Sequence, residues 1–194
     1  SIVIDGVDIR EVSKQSLKSL FGIVLQESLL FTTSIADNIR YARPSASMEE
    51  VINAAKIAEI HNEILALPRG YNSVIGDKDV QLSVGQKQRI SIARAVLANP
   101  TILIMDEATG SLDSRSEAAI KRALDSFIKK KTSFIVAHRL STIKNADKII
   151  LLDKGKIIEQ GNHDELMQIP NGRYKELYEK HSGVGIIMDD SEGE

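Results

Sequence analysis

Apolar residues recur along two stretches of this chain with the spacing of a buried helix face. Met48 to Leu67 and Val84 to Leu97 both place apolar side chains three to four residues apart. Each stretch follows a serine that lies three residues before Glu50 or Gln86, which is the pattern of an N-terminal capping box. The spacing predicts two helices in the middle of the chain, and Asn99 with the following proline ends the second.

Continuous apolar runs predict strands on either side of these helices. Thr101 to Met105 has no polar face, which is typical of a parallel strand covered on both sides. From Pro100 onward such runs alternate with helical patterns, so we expect an α/β protein with a mainly parallel sheet. Further strands are predicted at 1–4, 17–25, 132–137 and 148–152, a hairpin turn at 153–156, and further helices at 112–128, 163–167 and 173–181.

The same pattern divides the chain into three parts. Residues 1–28 and 100–182 are predicted to form a partial core with the sheet, residues 29–99 an inserted helical subdomain, and residues 183–194 a disordered acidic tail. The chain begins without Met in what resembles the middle of a strand. We therefore expect it to be a fragment of a longer protein, with the N-terminal part of the sheet missing.

Charge and composition exclude several kinds of site. The 25 Lys and Arg nearly balance the 27 Asp and Glu, and the net charge of −2 offers no basic surface for nucleic acid. The absence of cysteine excludes disulfides and thiolate metal sites. No apolar run in the sequence reaches the length of a membrane span. The candidate chemistry therefore rests on polar residues at the ends of strands and helices.

Two adjacent carboxylates, Asp106 and Glu107, follow the most apolar predicted strand. They could simply mark the point where the strand turns into solvent. They also match a metal-and-water arrangement, in which one carboxylate holds Mg²⁺ and the other orients an attacking water, as phosphoryl transfer requires. The dipeptide alone does not decide between the two interpretations.

The start of the second helix, at Ser83 and Gly85, also has two interpretations. A serine followed by glutamine three residues later needs no explanation beyond a capping box. Alternatively, the serine hydroxyl and the first backbone N–H groups, which Gly85 leaves accessible, face a phosphate at the helix N-terminus. The other motifs in the chain favour the phosphate.

Single polar residues follow two other predicted strands. Gln26 could ligate Mg²⁺ through its amide oxygen, bind the attacking water, or satisfy backbone groups. His138 follows a strand that should share a sheet with Thr101 to Met105, and a neutral imidazole can donate to a γ-phosphate oxygen. His61, His163 and His181 have no such setting, and we expect them to be surface or packing residues.

Five separated elements, in this order, resemble the motifs of ATP-binding cassette (ABC) ATPases. They are similar to the Q-loop, signature, Walker B, D-loop and H-loop, at Gln26, Leu82–Gln86, Ile102–Glu107, Leu112-Asp113 and His138 respectively. The resemblance covers nearly the whole chain before the acidic tail. It implies a P-loop NTPase-like fold that binds and hydrolyses ATP with Mg²⁺.

Other segments narrow the resemblance to ABC exporters of the multidrug and lipid type. They are 30–39, 67–71, 74–77, 137–143 and 155–163. In that branch, the segment here numbered 73–79 is similar to a loop that contacts the coupling helices of the transmembrane domain. The resemblance implies a head-to-tail dimer with a second nucleotide-binding domain, identical or different. It also implies a place at the cytoplasmic face of the membrane, through a transmembrane domain absent from this chain.

The resemblance implies roles for eight residues. Those assigned to the metal and the reaction are Asp106 for Mg²⁺, Gln26 for metal and water, Glu107 for the attacking water and His138 for the γ-phosphate. Those assigned to the nucleotide and the dimer are Ser83, Gly85 and Gln86, which would serve the opposite subunit's ATP, and Asp113, which would bridge the two subunits.

Two departures from the family pattern affect the expected activity. No phosphate loop of the form G-x-x-x-x-G-K-[ST] occurs in the 194 residues, so we expect the fragment alone to be inactive. Val84 stands where the family usually has glycine, which would loosen the approach of a phosphate. The alternative is a non-hydrolysing module that pairs with a complete ABC subunit. A chromosome-maintenance ATPase would need a long coiled coil, for which residues 29–99 are too short.

Overall fold

The computed structural model describes residues 1–25, 28–106, 118–120, 122–123, 127–128, 131–136 and 143–182. The chain divides into two compact units, Ser1–Val136 and Ala137–Glu194. Four residues with predicted roles lie outside the described residues, as does the predicted tail at 183–194. These four are Gln26, Glu107, Asp113 and His138.

A short antiparallel hairpin opens the first unit. It consists of β1 (Val3–Ile4) and β2 (Val7–Asp8). Asp5 and Gly6 form its turn with φ values of 49° and 83°, and this left-handed pair is the one that a two-residue hairpin requires. A 3₁₀ turn at Ile9–Glu11 follows. The strand predicted at 1–4 is therefore one arm of a hairpin.

The parallel sheet of the first unit contains β3 (Phe21–Val24), β4 (Ile102–Asp106) and β5 (Thr132–Val136), in the order β3-β4-β5. All neighbouring pairs are parallel. Helix α1 (Lys14–Leu20) leads directly into β3, so the strand predicted at 17–25 is wrong over 17–20 and begins at Phe21. The α/β class and the parallel sheet predicted from the sequence are confirmed.

Four helices lie between β3 and β4 in the residues that the structure describes there. They are α2 (Ile35–Arg40), α3 (Met48–Ile57), α4 (His61–Leu65) and α5 (Val84–Ala98), with a 3₁₀ turn at Gly70–Asn72. Their apolar faces and the sheet form one core. Its fully buried members include Val24, Ile35, Ile39, Val51, Ile64, Ile90, Ile92, Leu103, Met105 and Ile120.

The prediction of one helix over 48–67 is wrong, because the chain reverses after Ile57. Glu59 is left-handed with a φ of 53°, and its N–H bonds the carbonyl of Lys56. The N–H of Ile60 bonds the carbonyl of Ala55, which completes a Schellman cap. Ile60 is buried in the same core as α3, so the apolar spacing continues across the break and conceals it.

The second predicted helix is confirmed as α5. Ser83 and Gln86 form the complete capping box at its start, and Asn99 ends it in the left-handed conformation with a φ of 47°. Residues 118–120, 122–123 and 127–128 are helical, as predicted for that part of the chain.

The described residues of the second unit, 143–182, include a strand hairpin followed by two helices. β6 (Ile149–Asp153) and β7 (Lys156–Gly161) pair antiparallel, and Lys154 and Gly155 form the predicted turn. Helices α6 (His163–Met167) and α7 (Arg173–Ser182) follow. Ile149, Leu166 and Tyr174 form their buried core. Within the described ranges, none of the helices has the length and apolar character that a bilayer span requires.

Candidate functional site

The carboxyl ends of the three parallel strands lie at one edge of the sheet. Val24, near the end of β3, is in register with Met105 of β4, and Asp106 at the end of β4 is in register with Val136 of β5. Open α/β sheets bind ligands at this edge. The predicted site residues Gln26, Glu107 and His138 follow these strand ends by one or two residues in the sequence, and their roles stay predictions.

Asp106 is the described carboxylate at this edge, and its side chain is half-buried. A carboxylate oxygen at the end of a parallel strand is a ligand that Mg²⁺ prefers, together with water and phosphate oxygens. Among the described residues no group of three or more His, Cys, Asp or Glu forms a complete metal site. The carboxylate of Asp106 is thus of the right chemical type for Mg²⁺, and its role as a metal ligand stays a prediction.

The N-terminus of α5 presents several hydrogen-bond donors beyond those of its cap. The N–H of Gln86 donates to Ser83 Oγ at 3.2 Å, and the N–H of Ser83 donates to Gln86 Oε1 at 2.8 Å. Ser83 is exposed, and these bonds leave its hydroxyl proton free to donate. The first N–H groups of a helix have no partner within it, which makes those of Val84 and Gly85 further candidate donors, although Gly85 is buried and not exposed as its sequence position suggested. Both interpretations of Ser83 are thus compatible, because the cap does not consume the donors that a phosphate would use.

Val84 is 59% exposed at the first position of α5. Its side chain therefore lies on the surface beside these donors rather than in the core. The predicted nucleotide residue Gln86 uses its side-chain oxygen in the cap, so its amide group is the part left for a ligand.

The side chain of Arg89 holds the start of α5 through hydrogen bonds. Its side chain is 6% exposed, and its Nε donates to the carbonyl of Gly85 at 3.3 Å. Two further nitrogens bind the carboxylate of Glu63 at 2.6 and 2.9 Å, and Nη1 also donates to the carbonyl of Glu59 at 2.9 Å. The sequence interpretation missed Arg89. Its only signal was a cation four residues after Gly85, within a helix that is otherwise apolar at that face.

A polar cleft in the first unit opens beside this helix start. It is lined by Lys56, Glu59, Asn62, Ser83, Arg89 and Arg122, among others. Arg122 binds the carboxylate of Glu59 through Nε and Nη2, at 2.8 and 2.6 Å. The hydrogen bond from Arg122 holds the pKa of Glu59 below its ordinary value, so Glu59 is anionic at neutral pH.

A second surface of the first unit is aromatic, and we call Leu29, Phe31 and Tyr41 the aromatic patch. These side chains are 67%, 43% and 62% exposed, and the rings of Phe31 and Tyr41 lie 4.5 Å apart. The guanidinium of Arg94 lies 5.5 and 5.6 Å from the two ring centres. It donates to the carbonyls of Leu29 and Asn38 and to Asn38 Oδ1, all of them neutral acceptors. Burial lowers the pKa of Arg94.

The loop at 73–79 pairs with the backbone of residues 33–35, shortly after Phe31 in the chain. Val74 forms a strand bridge with Ser34, and the N–H of Ile75 donates to the carbonyl of Thr33 at 3.0 Å. The N–H of Ile35 donates to the carbonyl of Ser73 at the same distance. The loop that the sequence relates to coupling helices therefore borders the segment that carries Phe31.

Two of the remaining histidines have packing roles, as expected. His61 Nδ1 lies 2.9 Å from the hydroxyl of Tyr71, and His163 Nδ1 lies 2.9 Å from the hydroxyl of Tyr174. Burial raises the pKa of Tyr71 to about 12, so this phenol stays neutral. The side chain of His181 lies outside the described residues.

Comparison with known proteins gives consistent matches over nearly the whole chain. A family model described as "ABC transporter" matches residues 1–110. The chain is 50% identical over 192 residues to "Uncharacterized ABC transporter ATP-binding protein YknU" of Bacillus subtilis, covering 98% of this chain and 33% of that protein. It is 51% identical over 179 residues to "ABC transporter B family member 4" of Dictyostelium discoideum, covering 92% of this chain and 23% of that protein.

A solved structure has the same fold. It is described as a bacterial Atm1-family ABC exporter with ATP bound, and it matches with a TM-score of 0.84 and 42% identity. The match covers 98% of this chain and 32% of that one. The chain thus spans a third or less of the length of these relatives.

Proposed function

Because the chain belongs to the ABC transporter family, we propose that it is part of the ATP-hydrolysing domain that powers an exporter. One observation carries the proposal. The same unit presents the hydrogen-bond donors at the start of α5 and the carboxylate of Asp106 at the carboxyl edge of a parallel sheet. Helix N-termini bind phosphate, and a carboxylate at this edge binds its metal.

In the proposed mechanism each group has one task. Ser83 Oγ and the N–H groups of Val84 and Gly85 donate to phosphate oxygens of an ATP held by a second, head-to-tail domain, beside which Gln86 lies. Asp106 holds Mg²⁺, which when bound neutralises charge on the phosphates. Glu107 orients the attacking water.

The remaining predicted residues complete the two composite sites of the dimer. Gln26 contacts metal and water, His138 donates to the γ-phosphate, and Asp113 bridges the subunits. Hydrolysis also needs a phosphate loop, a motif that these 194 residues do not contain. In this proposal the helical subdomain is 29–99 and the core is 1–28 with 100–182.

The aromatic patch is proposed as the surface on which the coupling helices of a transmembrane domain dock. Exposed aromatic side chains with a neighbouring arginine are typical of protein interfaces. The loop at 73–79 pairs with residues 33–35, which follow Phe31 closely in the chain, and this supports a shared docking surface. This contact places the domain at the cytoplasmic face of the membrane.

Replacing Asp106 by Asn in the full-length protein is expected to weaken MgATP binding, because a metal-ligating anion is lost. We expect the dissociation constant for MgATP to rise about tenfold or more. Nucleotide binding is measured with and without Mg²⁺, since the loss should disappear when the metal is removed. The matched control is Asp153→Asn, which changes an exposed aspartate at the end of β6.

Three results bear on the proposal. Equal loss in both variants, or no loss in Asp106→Asn, contradicts the metal role of Asp106. Full-length protein that never hydrolyses ATP contradicts the proposed function. If it acquires ATPase activity only when paired with a second, complete ABC subunit, it is instead the non-hydrolysing module.

Replacing Val84 by Gly is expected to strengthen ATP-driven association of the two domains. The β-branched side chain is exposed beside the free donors of α5, where it adds bulk in the path of a phosphate. The helix should lose about 1 kcal/mol through the poorer propensity of glycine. Dimerisation is measured against ATP concentration in the full-length protein. Unchanged dimerisation and turnover would show that Val84 points away from the nucleotide.

A further inference from the structure

In the turn between α3 and α4, a single glutamate links α5 to the helical segment that follows β4. Glu59 is left-handed, and both its backbone and its side chain are engaged. Its carbonyl accepts a hydrogen bond from Arg89 Nη1 at 2.9 Å. Its carboxylate accepts two bonds from Arg122, from Nε at 2.8 Å and from Nη2 at 2.6 Å. One residue therefore joins an arginine of α5 to an arginine that follows β4.

The two arginines belong to different parts of the proposed site. Arg89 is buried under the start of α5 and also holds the carbonyl of Gly85. Arg122 lies in the helical segment that follows β4 in the sequence, after the proposed metal and water residues. A continuous chain of hydrogen bonds thus runs from Gly85 through Arg89 and Glu59 to Arg122.

The charges of this pair are both maintained at neutral pH. The hydrogen bond from Arg122 lowers the pKa of Glu59, and the same bond raises the pKa of Arg122. The side chains are 61% exposed for Arg122 and 34% for Glu59, and ion pairs this exposed add little to folding stability. The ion pair is nevertheless bidentate, and two parallel hydrogen bonds fix the direction between the two side chains as well as their distance. Its effect is therefore expected on orientation rather than on stability.

Resting on the function proposed above, we propose that Glu59 and Arg122 are positioning residues for the start of α5. They hold α5 relative to the parallel sheet in the orientation in which Ser83 and its neighbouring N–H groups meet the phosphates of ATP on the second domain. Neither residue takes part in the reaction. Small errors in the placement of binding groups weaken ligand contacts, even when they arise away from the chemistry.

The test uses the full-length transporter with Glu59→Gln, Arg122→Gln and the double variant. Each single change is expected to raise the KM for ATP about two- to fourfold with kcat unchanged, since an interaction that serves binding alone is weakened. The double variant should be no worse than either single variant, because the two residues act as one unit. Arg122→Lys keeps the charge but loses the bidentate guanidinium. Its KM should therefore lie between those of the wild type and Arg122→Gln.

Arg173→Gln is the matched control. It removes an arginine from an exposed ion pair with Glu176 that stays within α7, so its KM should equal that of the wild type. Thermal unfolding is measured in parallel, and the midpoints of all variants should agree. If Arg122→Gln misfolds, the KM of Arg122→Lys is compared with that of the wild type in its place.

The outcomes separate this inference from the proposed function. An unchanged KM in Arg122→Gln, effects that add in the double variant, or a fall in kcat alone overturns the positioning role. Each of those results would leave the ATPase activity itself established. A wild-type protein without ATPase activity, alone or with a partner, would instead remove the function on which the inference rests.

Discussion

Glu107→Gln is expected to abolish ATP turnover in the full-length protein while ATP binding survives. The change keeps the size of the side chain and removes the charge that would orient or deprotonate the attacking water. Loss of a general base costs about 10²–10⁴-fold in rate. Asp106 and the phosphate-binding groups remain, so nucleotide should still bind and the dimer should accumulate in a closed, ATP-loaded state. Phosphate release and trapped nucleotide are the two measurements.

The control for this variant is Glu179→Gln, which changes a partly exposed glutamate of α7 that lies 4.0 Å from Lys175 on the same helix. It should turn over ATP at the wild-type rate. If Glu107→Gln did so too, the base would lie elsewhere, and His138 would be the next candidate. Comparison with Asp106→Asn separates the two carboxylates, because binding is retained in one variant and weakened in the other.

The caps and most strands of this fold were predictable from local sequence, whereas the strand predicted at 17–25 is helical over 17–20. A continuous apolar run such as 102–105 indicates a strand of a parallel sheet, and the Ser83–Gln86 spacing fixes the start of α5 through bonds within one turn. The expected burial on both faces is wrong for one face, since Ile23 and Phe134, in register with Ile104, are 57% and 59% exposed. The end of α3 was not predictable in the same way. Ile60 continues the apolar periodicity of α3 although the backbone reverses at Glu59. The periodicity therefore did not indicate the C-terminal cap of α3.

The contacts around the candidate site could not be predicted from the sequence, for a different reason. Arg89 meets Glu63 and Glu59 across 26 and 30 residues, and Arg94 meets Asn38 across 56. A pattern within a window of the sequence cannot pair residues so far apart. The strand ends, in contrast, were predictable as a group, because parallel strands necessarily bring their carboxyl ends to one edge.

Asn38→Ala is expected to be the most destabilising of the substitutions considered. Asn38 is fully buried, and both the oxygen and the nitrogen of its side-chain amide form hydrogen bonds. Its Oδ1 accepts from the N–H of Phe31 at 2.8 Å and from Arg94 Nη2 at 3.1 Å. Its Nδ2 donates to the carbonyls of Phe31 and Ser34, each at 3.0 Å. Truncation leaves these groups without partners in a partly buried loop.

Unsatisfied buried donors and acceptors of this kind should cost about 2–4 kcal/mol of unfolding free energy. The loss should appear as a lower temperature of half-inactivation of the ATPase and as faster proteolysis near Phe31. The matched control is Asn53→Ala, on the exposed face of α3, which should be neutral or slightly stabilising because alanine is the better helix former. Since Asn38 holds both the backbone of Phe31 and the guanidinium of Arg94, coupling to the transmembrane domain should fail before ATP binding does. Equal stability of Asn38→Ala and Asn53→Ala would mean that water replaces the amide, and the aromatic patch would then owe its shape to other contacts.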